Sequence, residues 1–414
     1  MMNYVWLVLI AIAVVVGALT GNIAEVTKSA IDMAGTAVEI ALGLIGIMTL
    51  WLGIMKIAEE AGMIRLLARA ITPISKRLFP DVPSDHPAIG SMMLNISANW
   101  LGLGNAATPF GIKAMEQLQE LNPEKETATN AMIMFLALNT ASITLVPMTI
   151  IGVRASLGST NPGAIIGTTI FASSMATLAA ILGVKIMAFF SHRKIENGER
   201  AASPWKVILI IAAIIVLVML GFFSGILPKL ASVLPFSFKS VISFISIWTI
   251  PFLLLMIPLL AAIKKVKVYE VFVEGAKEGF QVAVRIIPFL VAILAAISMF
   301  RASGAMAFLT TLLSPITNAI GMPAEILPAA LMRPLSGSGT LGIITELLET
   351  HGPDSFIGNL GSTIYGCTET TFYVIAVYFG AIGIKKTRFA VPAGLFADAI
   401  GVLAAVFICR LIFL

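Results

Sequence analysis

Charge is scarce in this chain. Charged residues make up 12% of its 414 positions, about half the share usual in a soluble domain. That leaves no room for a soluble catalytic domain of ordinary composition. Cysteine is scarcer still: Cys367 and Cys409 stand alone, both inside apolar segments, so neither a disulfide framework nor a metal cluster is implied. The three histidines, His86, His192 and His351, are scattered without ligand spacing, and no metal site is expected. No H-E-x-x-H, Walker A or G-x-S-x-G pattern occurs, and the run Ser336-Gly337-Ser338-Gly339 misses the last of these. With no nucleophile–base set in view, the chain is expected not to be an enzyme. The opening MMNYVWLVLIAIAVVVGALTG lacks the basic region that starts a cleaved signal peptide, so it reads as a first transmembrane helix.

Apolar residues are what the chain has in quantity, 58% of the total. Long apolar runs fall at 4–21, 36–57, 128–153, 163–190, 205–227, 240–263, 280–300, 356–382 and 389–413. A crossing uses roughly 20 residues, so a chain of this size holds about eight to ten. Two further stretches, 87–112 and 322–348, are apolar but studded with Gly, Pro, Asn and Ser. Backbone loosened in this way is tolerated at membrane depth only inside protein or beside a water-filled cavity, so both read as re-entrant helical hairpins. Residues 62–79 place Arg65, Arg69, Lys76 and Arg77 among apolar neighbours, the pattern of an interfacial helix. The net charge of +5 sits in short loops, which is a topogenic pattern. The lipid bilayer is therefore the expected partner, with no nucleic acid, and the bacterial inner membrane is the simplest location.

The chain divides near its middle at the hydrophilic linker 191–204, giving parts 1–190 and 205–414, and the parts repeat one another. Ala61-Gly62-Met63 followed by Thr72-Pro73-Ile74 returns as Ser303-Gly304-Ala305 followed by Ser314-Pro315-Ile316. Phe171-Ala172 with Leu178-Ala179-Ala180 returns as Phe396-Ala397 with Leu403-Ala404-Ala405. Positive charge at 56–77, 113–125, 192–206, 264–267 and 385–388 marks the cytoplasmic side. Threading the runs through these constraints makes the two parts an inverted-topology pair, with the N-terminus cytoplasmic and the C-terminus outside. The expected fold is an all-α polytopic membrane protein with two such repeats, each carrying a re-entrant hairpin and a broken helix.

A hairpin tip or helix break inside a bilayer exposes helix termini that can bind ions or polar solutes. In the first part the candidates are Asn95, Ser97, Asn99 and Asn105 on the hairpin, and Asn139, Thr140 and Ser142 at the break. In the second they are Arg333, Ser336, Ser338 and Thr340 on the hairpin, then Thr368, Glu369 and Thr370 at the break. Intramembrane charge is costly and usually functional. Arg333 can grip a carboxylate or phosphate with its planar fork. Glu369 can hold an amine, sodium or a proton, and Asp398 in the last helix is a second candidate for the coupling ion. Sodium or a proton is the one small ion expected, with no other cofactor. Glu39 and Arg285 lie near segment ends, where snorkelling accounts for them.

The segments IMKIAEEAGMIRLLARAITPISKRLFP, MMLNISANWLGLGNAATPFGIKAM and NTASITLVP resemble the spore maturation protein A family. The segments LLSPITNAIGMPAEILPAALMRPLSGSGTLGII and YGCTETTFYVIAVYFGAIGIKKTRFA resemble the spore maturation protein B family. The chain thus looks like a natural fusion of the two, within the wider Gate, or nucleoside-recognition, group that also includes concentrative nucleoside transporters and ferrous-iron permeases. The resemblance implies a transport-like core and is compatible with a homodimer. The expected function is sodium- or proton-coupled transport of a small polar metabolite, an amino acid or short peptide first, since an Arg/Glu pair suits a small zwitterion. A nucleoside carrier and a non-transporting envelope or spore-maturation scaffold are the alternatives.

Overall fold

The computed structural model describes residues 2–102, 104–190 and 238–414. The linker 191–204 and the apolar run 205–227 lie outside them. The regular elements among the described residues are all helices, with one isolated bridge, Thr127 to Lys386, in place of any strand. Helices are numbered here in chain order: α1 Met2–Thr20, α2 Ile23–Glu60, α3 Met63–Leu78, α4 Pro87–Trp100, α5 Gly104–Glu120, α6 Asn130–Thr140, α7 Met148–Ser156 and α8 Ile166–Phe190. Then follow α9 Phe238–Ile263, α10 Val268–Ala302, α11 Ala305–Ala319, α12 Leu327–Met332, α13 Gly337–His351, α14 Phe356–Cys367, α15 Thr371–Ala381 and α16 Ala390–Phe413. Five stretches, Ile23–Glu60, Pro162–Phe189, Lys239–Ile263, Val268–Ala302 and Ala390–Phe413, are long and apolar enough to cross a membrane.

Elements succeed one another in the same order twice. A long helix (α2, α10) ends at a glycine, Gly62 at φ +70° and Gly304 at φ +88°. Only glycine adopts this left-handed turn without a Cβ penalty, and it redirects the chain into α3 or α11, each with an internal proline, Pro73 or Pro315. A helical hairpin follows (α4–α5, α12–α13), then a broken helix (α6–α7, α14–α15), then an apolar helix (α8, α16). The long helices pack along most of their length. As numbering rises on α10 its partners on α2 fall: Gly275 lies against Lys56 and Gly53, Gly279 against Met48 and Thr49, and Ser298 bonds Ser29. α8 and α16 pair in the same antiparallel sense, with Gly183 against Phe396, Ala176 against Gly401 and Phe171 against Phe407.

The structure lengthens and divides the expected segments. α2 starts at Ile23, well before the run at 36–57, and its 38 residues span about 57 Å. α10 likewise begins at Val268, so Glu39 and Arg285 sit inside long helices, not near their ends as expected. Both are exposed. The runs 128–153 and 356–382 are each two helices with an irregular crossing between them.

Candidate functional site

The first break begins after Thr140 and ends at Pro147, whose ring removes a backbone donor and cannot continue a helix. The second lies between Cys367 and Thr371, where Thr368 is extended at φ −141° and ψ 165°. Freed backbone groups must find other partners in an apolar setting, and the two breaks find them in each other and in the hairpins. Glu369 N donates to Thr140 O at 2.6 Å, so the interrupted helices touch at their interruptions. Each hairpin tip docks on the break of its own half: Leu145 N donates to Trp100 O at 3.2 Å, and Phe372 N to Pro334 O at 3.0 Å. The tip of the first hairpin turns at Gly102, φ +76°.

Two side-chain groups flank this crossing. In one, Asn99 Nδ2 and Tyr378 Oη both donate to Asn139 Oδ1, at 2.9 and 3.2 Å. Asn95 Nδ2 in turn donates to Tyr378 Oη at 3.1 Å and to Ala107 O at 2.8 Å. In the other, Arg333 is buried at the end of α12. Its Nη2 donates to Thr368 O and lies 3.7 Å from Glu369 Oε2. The guanidinium also stacks 4.7 Å from the Tyr365 ring centroid. Glu369 is 56% exposed against 4% for Arg333, so the pair presents its carboxylate outward on a buried cationic base. Gly337 keeps the tip close to both: a Cβ there would stand 3.0 Å from Thr370 Oγ1 and 3.5 Å from Arg333 Nη1.

Several expected residues have structural tasks instead. Ser336 caps α13 by accepting from Gly339 N at 3.0 Å, and Thr340 donates back to Ser336 O at 2.7 Å. Their oxygens are spent within the helix start, a common role for hydroxyls at N-caps. Ser338 is exposed, with its hydroxyl 3.3 Å from that of Ser336. Ser97 is fully buried, its hydroxyl without a hydrogen-bond partner among the described residues, and Ser142 is buried at the first break. The side chain of Asn105 lies outside the described residues. Asp398 is buried in α16 and accepts from Thr371 Oγ1 at 2.5 Å. Tyr378 and Tyr365 were not anticipated. Each stands in an apolar run where an aromatic reads as lipid-facing, and only the fold brings it to an amide or a guanidinium.

The Gate family, described as nucleoside recognition, matches residues 41–157 and 283–385, together more than half of the chain. Spore maturation protein B of Bacillus subtilis (strain 168) is 52% identical over 173 residues, 42% of this chain and 97% of that protein. Spore maturation protein A of the same organism is 41% identical over 199 residues, 48% of this chain and 100% of that protein. No solved structure matches. Both Gate segments span a long helix, a hairpin and a broken helix, and the chain belongs to the Gate nucleoside-recognition family, joining relatives of spore maturation proteins A and B in one polypeptide.

Proposed function

We propose that this multi-pass membrane protein is a secondary carrier, coupled to sodium or protons, for a small polar metabolite, with an amino acid or short peptide favoured. The observation that carries the reading is the contact of two interrupted helices at their interruptions, with the Arg333–Glu369 pair beside it. Breaks of this kind are retained in membrane proteins where they line a binding cavity. The antiparallel pairing of α2 with α10 and of α8 with α16 supports an inverted-topology pair formed by 1–190 and 205–414, with 191–204 as a cytoplasmic linker. On that reading the hairpins are re-entrant. The first enters from the cytoplasm, where Arg65, Arg69, Lys76 and Arg77 lie, and the second from outside. The N-terminus is then cytoplasmic and the C-terminus external, across a bacterial inner membrane.

Arg333 and Glu369 give the solute its class. A zwitterion exchanges their single ion pair for two, its carboxylate on the guanidinium and its amine on the exposed carboxylate. A neutral nucleoside would break the pair without replacing it. The test is a thermal-shift screen of the purified full chain against amino acids, short peptides and nucleosides, followed by uptake into proteoliposomes. An amino acid or peptide is expected to raise Tm by mass action. Arg333→Ala and Glu369→Gln should lose both that response and uptake while unfolding cooperatively. Full uptake by both variants would overturn the site. Stabilisation by nucleosides alone would favour a nucleoside carrier, in keeping with the family's description as nucleoside recognition. No response to any solute would leave an envelope scaffold, the role open to relatives named for spore maturation.

A further inference from the structure

Behind the Arg333–Glu369 pair, one stripe of α16 carries Gly394, Asp398 and Gly401, spaced to share a helix face. The two glycines let α16 close on threonines from both breaks. A Cβ on Gly394 would stand 2.6 Å from Thr371 Cγ2 and 3.7 Å from Thr140 Cγ2, and one on Gly401 would stand 2.9 Å from Thr368 Cγ2. Asp398 lies between them, 4% exposed. Its Oδ2 accepts from Thr371 Oγ1 at 2.5 Å. Its Oδ1 and the hydroxyls of Thr368 and Thr140 are buried without a well-formed hydrogen bond among the described residues, and the Thr368 side chain stands within reach of the same carboxylate.

The charge around these oxygens is mixed, with a guanidinium and a second carboxylate both acting on Asp398. α6 ends at Thr140 and α14 at Cys367, and α15 begins at Thr371, so two partially negative helix C-termini and one partially positive N-terminus lie at the breaks beside this carboxylate. The charged and titratable groups acting on Asp398 are Arg333, Glu369 and Cys367. Arg333 is committed to Thr368 O and Glu369. From α8, Ala176 brings no charge to the same contact. A buried carboxylate among threonine hydroxyls, with one oxygen lacking a well-formed hydrogen bond and the neighbouring guanidinium shared with Glu369, is a hard, oxygen-rich setting that suits a small cation.

We infer that Asp398, Thr371, Thr368 and Thr140 bind one small monovalent cation, a sodium ion among the oxygens or a proton on Asp398 Oδ1, apart from the solute-binding pair. This moves the ion away from Glu369, which is half-exposed and already paired. Calling it the coupling ion rests on the carrier reading; the binding itself does not.

The test is the unfolding temperature of the purified full chain, in two arms. One replaces choline chloride by sodium chloride at fixed pH, and the other varies pH in choline chloride. Sodium binding makes Tm rise with the logarithm of sodium concentration; proton binding makes Tm rise as pH falls, with no response to sodium. Either result supports the site when Asp398→Asn, already neutral and a weaker ligand, abolishes the dependence. Should Asp398→Asn fail to fold, Thr371→Val, which keeps the volume and removes the hydroxyl, should raise the half-saturating sodium concentration by about tenfold or more, or, in the proton case, move the pH response to higher pH because the carboxylate loses a hydrogen-bond donor. The inference is overturned if the wild type shows neither dependence, or if Asp398→Asn retains it. A chain that keeps its cation response but takes up no solute would sink the carrier reading alone.

Discussion

Arg154 Nη2 lies 3.1 Å from Asp354 Oδ1, and this pair ties the two halves together at one end of the broken helices. Arg154 is wholly buried. Its other donors reach Pro162 O at 3.2 Å, Pro353 O at 2.6 Å and Ser159 Oγ at 3.4 Å. At the other end of α6–α7 the halves meet again through Glu126 and Lys385, 2.6 Å apart, and through Ala128 N donating to Lys386 O at 3.0 Å. At one end the last turn of α7 grips the loop before α14, and at the other the loop before α6 grips the loop after α15. The crossing of the breaks is thus held from both ends, so what happens at Glu369 is referred to a fixed frame.

Arg154→Met should therefore destabilise the fold by about 3–5 kcal/mol, because it strands buried carbonyls and leaves Asp354 without its cation. Asp354→Asn should cost less, since Asp354 is 39% exposed and solvent screens it. Thermal or denaturant unfolding of the two variants checks the order. Equal losses would mean that the ion pair, not the web of carbonyls, is the source of the stability.

The same carboxylate predicts a pH response. Partial burial pushes the Asp354 carboxyl up, but hydrogen bonds from Ser159 and Thr160 and the charge of Arg154 outweigh it and hold the group below its ordinary value of 3.8. The unfolded chain then binds this proton more readily than the folded one. Its contribution is fully present above the unfolded value and is lost as pH falls through the folded one. Stability should drop from roughly pH 5 downward, and Asp354→Asn should show a shallower drop in the same acid titration of Tm.

Much of this architecture was legible in the residues themselves. Asn139-Thr140-Ala141-Ser142 before Pro147, and Cys367-Thr368-Glu369-Thr370, interrupt apolar runs with groups that disfavour a continuous helix, and the structure breaks at both. Gly62 and Gly304, each placed before a helix containing a proline, announced equivalent turns. The start of α2 was hidden because exposed Glu25, Lys28 and Asp32 dilute its apolar pattern, although its other face packs on α10. Pairings across the chain were equally hidden. Asn95 and Tyr378 are separated by 283 positions, and Arg154 and Asp354 by 200. No local pattern reports a partner so distant.

Close backbone approach between α2 and α10 gives a third prediction. A Cβ on Gly279 would stand 2.6 Å from both Met48 O and Thr49 Cα, which are backbone atoms that cannot swing aside. Gly279→Val should cost about 1–3 kcal/mol through overpacking, or more if the helices separate. Gly46 faces open space, so Gly46→Ala should be neutral, or stabilising by up to about 1 kcal/mol through helix propensity. Matched losses at the two sites would show that the α2–α10 contact is not the tight interface described.

The last prediction concerns the amide–phenol network that joins the first hairpin to the second half. Tyr378 Oη accepts from Asn95 and donates to Asn139, while its ring stacks on Phe135 at 6.0 Å between centroids. Tyr378→Phe keeps the ring and removes both bonds. Asn95 retains Ala107 O, and Asn139 retains Asn99, so the loss should stay near 1–2 kcal/mol. Asn139→Ala strands Asn99 and Tyr378 together and should cost more. Because the two residues share partners, the double variant should lose less than the sum of the singles, with a coupling of about 0.5–3 kcal/mol. Additive losses in that cycle would mean the network is a set of independent bonds. The hairpin tip would then be held to the break by backbone contacts such as Leu145 N to Trp100 O.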